Sequence, residues 1–369
     1  MPDRVIAVDG TPLSRRTDGI GRWSANVVER TARARPAWEF VVVGFADDRR
    51  RPYLLPDLPN VRRVLLPVPR RLYQAWYSLV GPVAVDRFVP EVDALLATNF
   101  APFPALRRVP SVVTVYDLTF VDLPEVVERR NLAHLRRHVP RALRTADVVT
   151  TISPFTAQRI DEVFPGHRPV RVVDCGLAPA FLRAEHVPGP PLPERYVLAV
   201  GTLEPRKNLV TLLRAWALLP DALRREVRLV VVGSAGWGPH ARPSDVPADI
   251  LEGVVFTGYV DDEQLPSVYA GARAFAFPSV YEGFGLPLLE AMSSGVPAVV
   301  SDIPPFRAIG GDLVEYAAPR DPVAFAEALT GVLTRPDASR VARARDRARA
   351  WTWEASGEQM ARAIEEVLP

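Results

Sequence analysis

Along the chain, short runs of valine, leucine and alanine alternate with longer stretches in which apolar residues recur every three or four positions. The runs Arg4–Asp9, Glu39–Gly44, Val61–Leu66, Ala94–Ala97, Ser111–Val115 and Val148–Ile152 read as strands of a first half. Tyr196–Val200, Arg228–Gly233, Val254–Thr257, Ala272–Phe277 and Ala298–Ser301 read as strands of a second. Strand and helix in alternation predict two parallel sheets, each covered by helices on both faces, that is, an α/β chain of two doubly wound units. Between the halves, Glu185–Pro193 holds four prolines and a glycine, which exclude helix and central strand and favour an extended linker. The expected division is 1–182, a linker over 183–194, 195–350, and a terminal amphipathic helix over 351–369, with Trp351, Trp353, Met360, Ile364 and Val367 on one face. Two such sheets with a proline-rich hinge imply a cleft for a small molecule.

Length and composition support this frame: 369 residues, 48% hydrophobic and 24% charged, suit two globular domains rather than a disordered or collagenous chain. The single cysteine, Cys175, cannot form an internal disulfide, and no Cys/His spacing suggests zinc. With no signal-like opening and no apolar run of membrane length, a cytoplasmic protein is expected, at most peripheral at the inner face of the membrane. The net charge of +2 conceals an asymmetry, since residues 1–186 carry 27 basic and 20 acidic side chains and the remainder 18 and 23. The arginine pairs of the first half are scattered rather than striped with aromatics, so no nucleic-acid partner is expected. Lys207 is the only lysine among 45 basic residues, which directs attention to a position where a compact ammonium is used.

Three loops carry candidate chemistry. Gly10–Gly21 follows a strand and precedes a helix expected to open near Arg22, so Gly19-Ile20-Gly21 brings backbone N–H groups to a helix N-terminus that favours an anion. The loop is too long for the tight dinucleotide turn, and NAD is not expected. In the second half, Gly201-Thr202-Leu203-Glu204-Pro205-Arg206-Lys207-Asn208 sets two cations at the start of a helix, the wrong end for positive charge unless a strong anion such as a diphosphate lies against them. Both are expected to stand in an exposed cleft. Tyr281-Glu282-Gly283-Phe284-Gly285-Leu286-Pro287-Leu288-Leu289-Glu290 ends a strand, turns on glycines and opens a helix, so Glu282 and Glu290 project from one sheet edge, where carboxylates accept bonds from sugar hydroxyls.

The Glu282-Gly283-Phe284-Gly285-Leu286-Pro287 segment with Glu290, taken with Gly201–Asn208, resembles the retaining glycosyltransferase family 4 pattern and its GT-B fold, mannosyltransferase-like in flavour. Gly19-Ile20-Gly21-Arg22, Tyr116-Asp117-Leu118-Thr119-Phe120, Ile152-Ser153-Pro154 and Phe256-Thr257-Gly258-Tyr259-Val260 extend the resemblance along nearly the whole chain. It implies two Rossmann-like domains facing across a cleft and a C-terminal helix crossing back to the first. It implies transfer of a hexose from a nucleotide diphosphate sugar, with GDP-mannose the favoured donor, to a hydroxyl acceptor such as a growing glycan, a lipid-linked saccharide or a small glycoside. The implied catalytic set is Glu282, Arg206, Lys207, Tyr116 and Asp117. The implied donor set is Gly21, Arg206, Lys207, Gly258, Tyr259, Val260, Gly283, Phe284, Gly285, Leu286 and Glu290, with Arg206 and Lys207 on the diphosphate and Glu290 on the ribose. No Asp-x-Asp triplet occurs, and neither metal nor cofactor is implied beyond the donor itself. Two positions depart from the pattern: Tyr116 stands where the family usually has histidine, and Ala308 where relatives often carry glutamate. The competing reading is therefore a nucleotide-sugar-binding relative with altered or lost transfer. His134, His138, His167, His186 and His240 read as surface or packing residues, and Cys175 as a packed thiol. Arg70-Arg71-Leu72-Tyr73-Gln74-Ala75-Trp76-Tyr77 reads either as a contact with anionic bilayer or as a basic stretch leading into a packed helix.

Overall fold

The computed structural model describes residues 2–14, 19–50, 53–73, 89, 92–100, 109–183, 185–236 and 246–369. The chain forms two compact units. The first comprises Met1–Asp122, Arg129–Gly176 and Thr352–Pro369, and the second Leu123–Glu128 and Leu177–Trp351. The boundary thus falls at Gly176 rather than in the proline-rich run. Residues 177–182 join the second unit because the Leu177 amide donates to the Trp351 carbonyl at 3.0 Å and Phe181 packs edge-on against Tyr269. The proline-rich run has neither helix nor strand, and it lies on this unit too, with Gln264 donating to the Pro188 carbonyl at 3.0 Å.

In the first unit, β1 (Arg4–Asp9), β2 (Trp38–Phe45), β3 (Val61–Leu66), β4 (Ala94–Ala97), β5 (Ser111–Val115), β6 (Val148–Thr151) and β7 (Val170–Val172) make one parallel sheet in the order β3-β2-β1-β4-β5-β6-β7. Its central strands are buried on both faces, which is why they lack polar alternation. The second unit repeats the plan with β8 (Tyr196–Val200), β9 (Arg228–Val232), β10 (Val254–Gly258), β11 (Ala274–Phe277), β12 (Ala298–Ser301) and β13 (Glu315–Ala317), in the order β10-β9-β8-β11-β12-β13. One face of this sheet packs Val197, Leu229 and Val231 against Leu212, Trp216, Phe325 and Leu329 of the covering helices. In both sheets the strand order reverses next to the first strand, between β1 and β4 and between β8 and β11. Loops leaving the carboxyl ends at such a point splay apart and form the ligand crevice of open α/β sheets.

The helix Gly19–Ala34 buries Gly21, Trp23, Ser24, Val27, Val28, Thr31 and Ala32 along one stripe. Against it lies the terminal helix Trp353–Glu365, whose Trp353, Met360 and Ile364 are buried. Arg35 binds Glu358 with two hydrogen bonds of 2.9 Å and Glu365 with one of 2.8 Å. Gly357 lets the backbones meet, because a Cβ there would come within 2.6 Å of the Arg30 carbonyl carbon. Gly357→Val is expected to destabilise the first unit by about 1–3 kcal/mol, the usual cost of overpacking. An unchanged thermal midpoint would show that this close approach is not required.

Candidate active site

The loops after β8 and β11 leave the reversal point of the second sheet and are bonded to each other. The Val280 amide donates to the Arg206 carbonyl at 2.9 Å, and the Asn208 side chain donates to the Pro278 carbonyl at 3.0 Å. Asn208 has a left-handed backbone, φ 55°, which separates the 3₁₀ turn Pro205–Lys207 from the helix Leu209–Leu218. The two cations therefore sit in this turn, ahead of the helix rather than in its first turn.

There the side chains form a charge quartet. Arg206 Nη1 donates to Glu282 Oε2 at 2.6 Å, Lys207 Nζ to Glu282 Oε1 at 2.7 Å, and Arg206 Nη2 and Nε to Glu204 Oε1 at 2.6 and 3.0 Å. The Lys207 ammonium also lies 4.9 Å from the centre of the Phe277 ring. The expectation of an exposed pair is corrected: the side chains of Arg206 and Lys207 are only 20% and 17% exposed, drawn inward by carboxylates that are nearly covered. Burial pushes the Glu282 carboxyl up, but the Arg206 and Lys207 charges outweigh it and bring it down to about 2. Burial lowers the Lys207 ammonium from its ordinary value, with Glu282 opposing that shift.

Past Glu282, Gly285 adopts φ 127° beneath Phe306, where a Cβ would meet the ring at 2.9 Å, and the helix Leu286–Ser293 starts with Pro287 in its first turn. Phe284 is buried edge-on against Trp351, ring centres 5.2 Å apart, which anchors Gly283-Phe284-Gly285-Leu286. Glu290, on that helix, is 6% exposed and accepts from the Tyr269 hydroxyl at 2.9 Å. Gly258, φ 73°, ends β10 and accepts from the Gly233 amide at 2.9 Å; the adjacent Tyr259 is half exposed and Val260 buried.

The other candidates belong to the first unit. The helix begins at Gly19, so Gly21 lies in its first turn, earlier than the expected opening near Arg22. Tyr116 is buried: its hydroxyl donates to the Thr98 carbonyl at 2.7 Å and lies 3.2 Å from Ser24 Oγ, and its ring packs on Trp23 and Phe100. Asp117 accepts from the Thr119 amide at 2.9 Å, an Asx turn at the end of β5. In the basic-aromatic stretch, Arg70 is not available to a bilayer, since it pairs with the fully buried Asp48 at 2.7 Å and lies over Phe45. Tyr73 packs on Phe45 as well, and Gln74–Tyr77 lie outside the described residues. Cys175 is a buried thiol pushed well up by its burial. His134 and His138 stack on one another, 4.4 Å between ring centres. Among the described residues, no group of acidic, histidine or cysteine side chains has the arrangement of a metal site, and no helix is long and apolar enough to cross a membrane.

Because Glu282 is held below its ordinary value of 4.5, its stabilising effect is complete above that pH and fades as pH falls toward 2. Glu282→Gln is expected to lower stability at pH 7 on the order of 2–3 kcal/mol. The gap between variant and wild type should close during acidification from pH 4.5, read as urea midpoints; a gap independent of pH would contradict the charge pairing.

Comparison with known proteins converges with this geometry. Residues 183–351 match the family model described as "Glycosyl transferases group 1". Over 390 aligned residues the chain is 31% identical to O-antigen chain mannosyltransferase B of Escherichia coli, covering 93% of this chain and 94% of that one. Among solved structures, sucrose-phosphate synthase from Thermosynechococcus elongatus superposes with a TM-score of 0.74 at 20% identity, covering 98% of each chain. Anabaena HepE in complex with UDP and glucose does so at 0.66 and 18%, covering 98% and 99%. With two parallel sheets of Rossmann order, the paired glutamates on the glycine turn and a relative matched over nearly its whole length, the chain belongs to the group 1 glycosyl transferases, glycosyltransferase family 4, of the GT-B fold.

Proposed function

We propose that this glycosyltransferase moves a hexose, with mannose from GDP-mannose the favoured case, from a nucleotide diphosphate sugar to a hydroxyl acceptor, with retention at the anomeric carbon and without a metal. The acceptor class is a growing glycan, a lipid-linked saccharide or a small glycoside. The observation that carries the reading is the placement of Arg206 and Lys207, with Glu282 between them, at the reversal point of the second sheet. Support for mannose comes from the E. coli mannosyltransferase relative, and support for a nucleotide diphosphate from the UDP held by the HepE fold neighbour.

In this reading, bond cleavage between the sugar and the diphosphate leaves negative charge on the departing phosphate. The Arg206 guanidinium and Lys207 ammonium neutralise that charge as it develops, which is the main way such a site lowers the barrier. Glu282 and the amides of Phe284 and Gly285 hold the sugar, and Glu290 holds the ribose. The acceptor hydroxyl attacks on the face the diphosphate leaves and passes its proton to a donor phosphate oxygen. The buried Tyr116, whose hydroxyl is engaged by Thr98, favours weighing a second reading in which the donor is bound but transfer is altered. Product analysis separates the two: transfer should yield a glycoside of unchanged anomeric configuration by NMR, whereas the second reading gives donor binding with hydrolysis or no product.

Arg206→Ala and Lys207→Ala should each cost about 2–4 kcal/mol in kcat/KM, the scale of one preorganised electrostatic donor. Each should also lower the melting temperature, since Glu282 loses a buried partner. Steady-state kinetics indistinguishable from wild type would remove both residues from the mechanism. Glu290→Ala is expected to raise chiefly the donor KM, and Glu282→Ala to lower kcat as well, because only the second residue faces the reacting sugar. EDTA should leave turnover unchanged. A strict requirement for divalent cation would overturn the assignment of charge neutralisation to protein cations.

A further inference from the structure

Glu290 is held more firmly than a ligand contact alone explains. Carboxylates are seldom this deeply covered unless bonded, and at 6% exposure Glu290 accepts from Tyr269 Oη through Oε2 at 2.9 Å. Tyr269 lies on the helix Leu265–Ala270 and is fully buried, its ring packed on Phe275 of β11 and edge-on to Phe181, with ring centres 5.6 and 5.5 Å away. The same short helix is tied to β8, because Tyr196 Oη donates to the Val268 carbonyl at 2.6 Å. The main chain of Glu290 is fixed as well: the hydroxyls of Ser293 and Ser294 donate to its carbonyl at 2.8 and 2.9 Å. A neutral phenol can only donate to an ionised carboxylate, so this bond has one polarity and one geometry. With Oε2 bonded to the hydroxyl of a fully buried ring, rotation of the carboxyl group is restricted, and with it the direction of Oε1.

A vicinal diol is recognised well only by an acceptor already oriented, because a freely rotating carboxylate loses rotamer entropy on binding. We infer that Tyr269 is a positioning residue that orients the Glu290 carboxylate toward the ribose diol of the donor nucleotide and thereby sets the preference for ribose over deoxyribose. The inference rests on the ribose role given to Glu290 under the proposed function. Nothing in the spacing of the glutamates points to Tyr269, which lies 21 positions before Glu290 on a different helix.

The test measures binding of GDP and UDP, and of the 2′-deoxy and 3′-deoxy forms of whichever binds, to the full chain by calorimetry. Wild type is expected to bind the ribonucleotide more tightly than either deoxy form. Tyr269→Phe should weaken the ribonucleotide about tenfold, the scale of one hydrogen bond to a charged group, and weaken each deoxy form, which keeps one of the two hydroxyls, by less. Combined with Glu290→Gln, it should add nothing to that single change. If wild type does not distinguish ribose from deoxyribose, the ribose role of Glu290 fails and the inference fails with it. If wild type does distinguish them and Tyr269→Phe matches wild type, the inference alone fails. An equal loss for ribose and deoxyribose would make Tyr269 a packing residue only, and would overturn it likewise. Tyr269→His provides a second variant if the first does not fold; its ribose preference should fall below wild type, and a full wild-type preference counts against the inference.

Discussion

Glu282 is shared between two cations, and much of the second unit's arrangement depends on that sharing. A guanidinium and an ammonium on successive residues repel each other and are costly to cover; one carboxylate bridging them, with Glu204 completing the set, makes the cluster neutral within itself. The bridge also crosses between two loops, so the electrostatics and the backbone bond from Val280 to Arg206 hold the same geometry. Loops without such ties would splay at the point where the sheet reverses its strand order. Here they form a fixed edge that holds the guanidinium and the ammonium side by side.

The sheet topology decides which sequence segments can meet there. In the order β10-β9-β8-β11-β12-β13, β8 and β11 are neighbours although three helix-bearing connections separate them in sequence. The register pairs Ala274 with Val197 and Phe275 with Leu198, so the strands end at similar height and their following residues face one another. Gly285 then turns the chain back under Phe306 into the helix that carries Glu290. A side chain at Gly285 would meet that ring, so the turn and the site are specified together.

Much of this was legible in the sequence, for identifiable reasons. Central parallel strands are largely apolar, and β1, β4, β5, β8 and β12 carry the bounds their composition suggests, as does the six-residue edge strand β3, which its Val64-Leu65-Leu66 run marks despite Arg62 and Arg63. The three-residue edge strands β7 and β13 were not legible: Val170-Arg171-Val172 and Glu315-Tyr316-Ala317 are mixed in polarity because an edge strand has one open side. Glu282, Arg206 and Lys207 stood out as charges beside glycines and prolines, but their mutual pairing was not legible, because it joins residues 75 and 76 positions apart. Tyr269 gave no local sign at all, and Trp351, expected on the apolar face of the terminal helix, instead precedes that helix, which starts at Trp353, and packs on Phe284 in the second unit. Each acts through one side chain from a distant element, and such a contact exists only once the sheet has closed. The Arg70 stretch read two ways for a similar reason: its neighbours fit a bilayer contact or a packed stretch alike, and the partner that engages Arg70, the buried Asp48, lies 22 positions away.

The arginine bias of this chain has a chemical consequence at the quartet. Guanidinium groups are inert to reagents that acylate or reductively alkylate amines, so Lys207 is the only side-chain amine in 369 residues. A burial-lowered ammonium releases its proton more readily than an exposed one, while its contact with Glu282 shields it from reagent. Amine labelling of the folded protein therefore has a single side-chain address, placed where the charge quartet sits. The extent of modification at that one nitrogen registers whether the quartet is closed, opened or covered, without a probe having to be engineered into the chain.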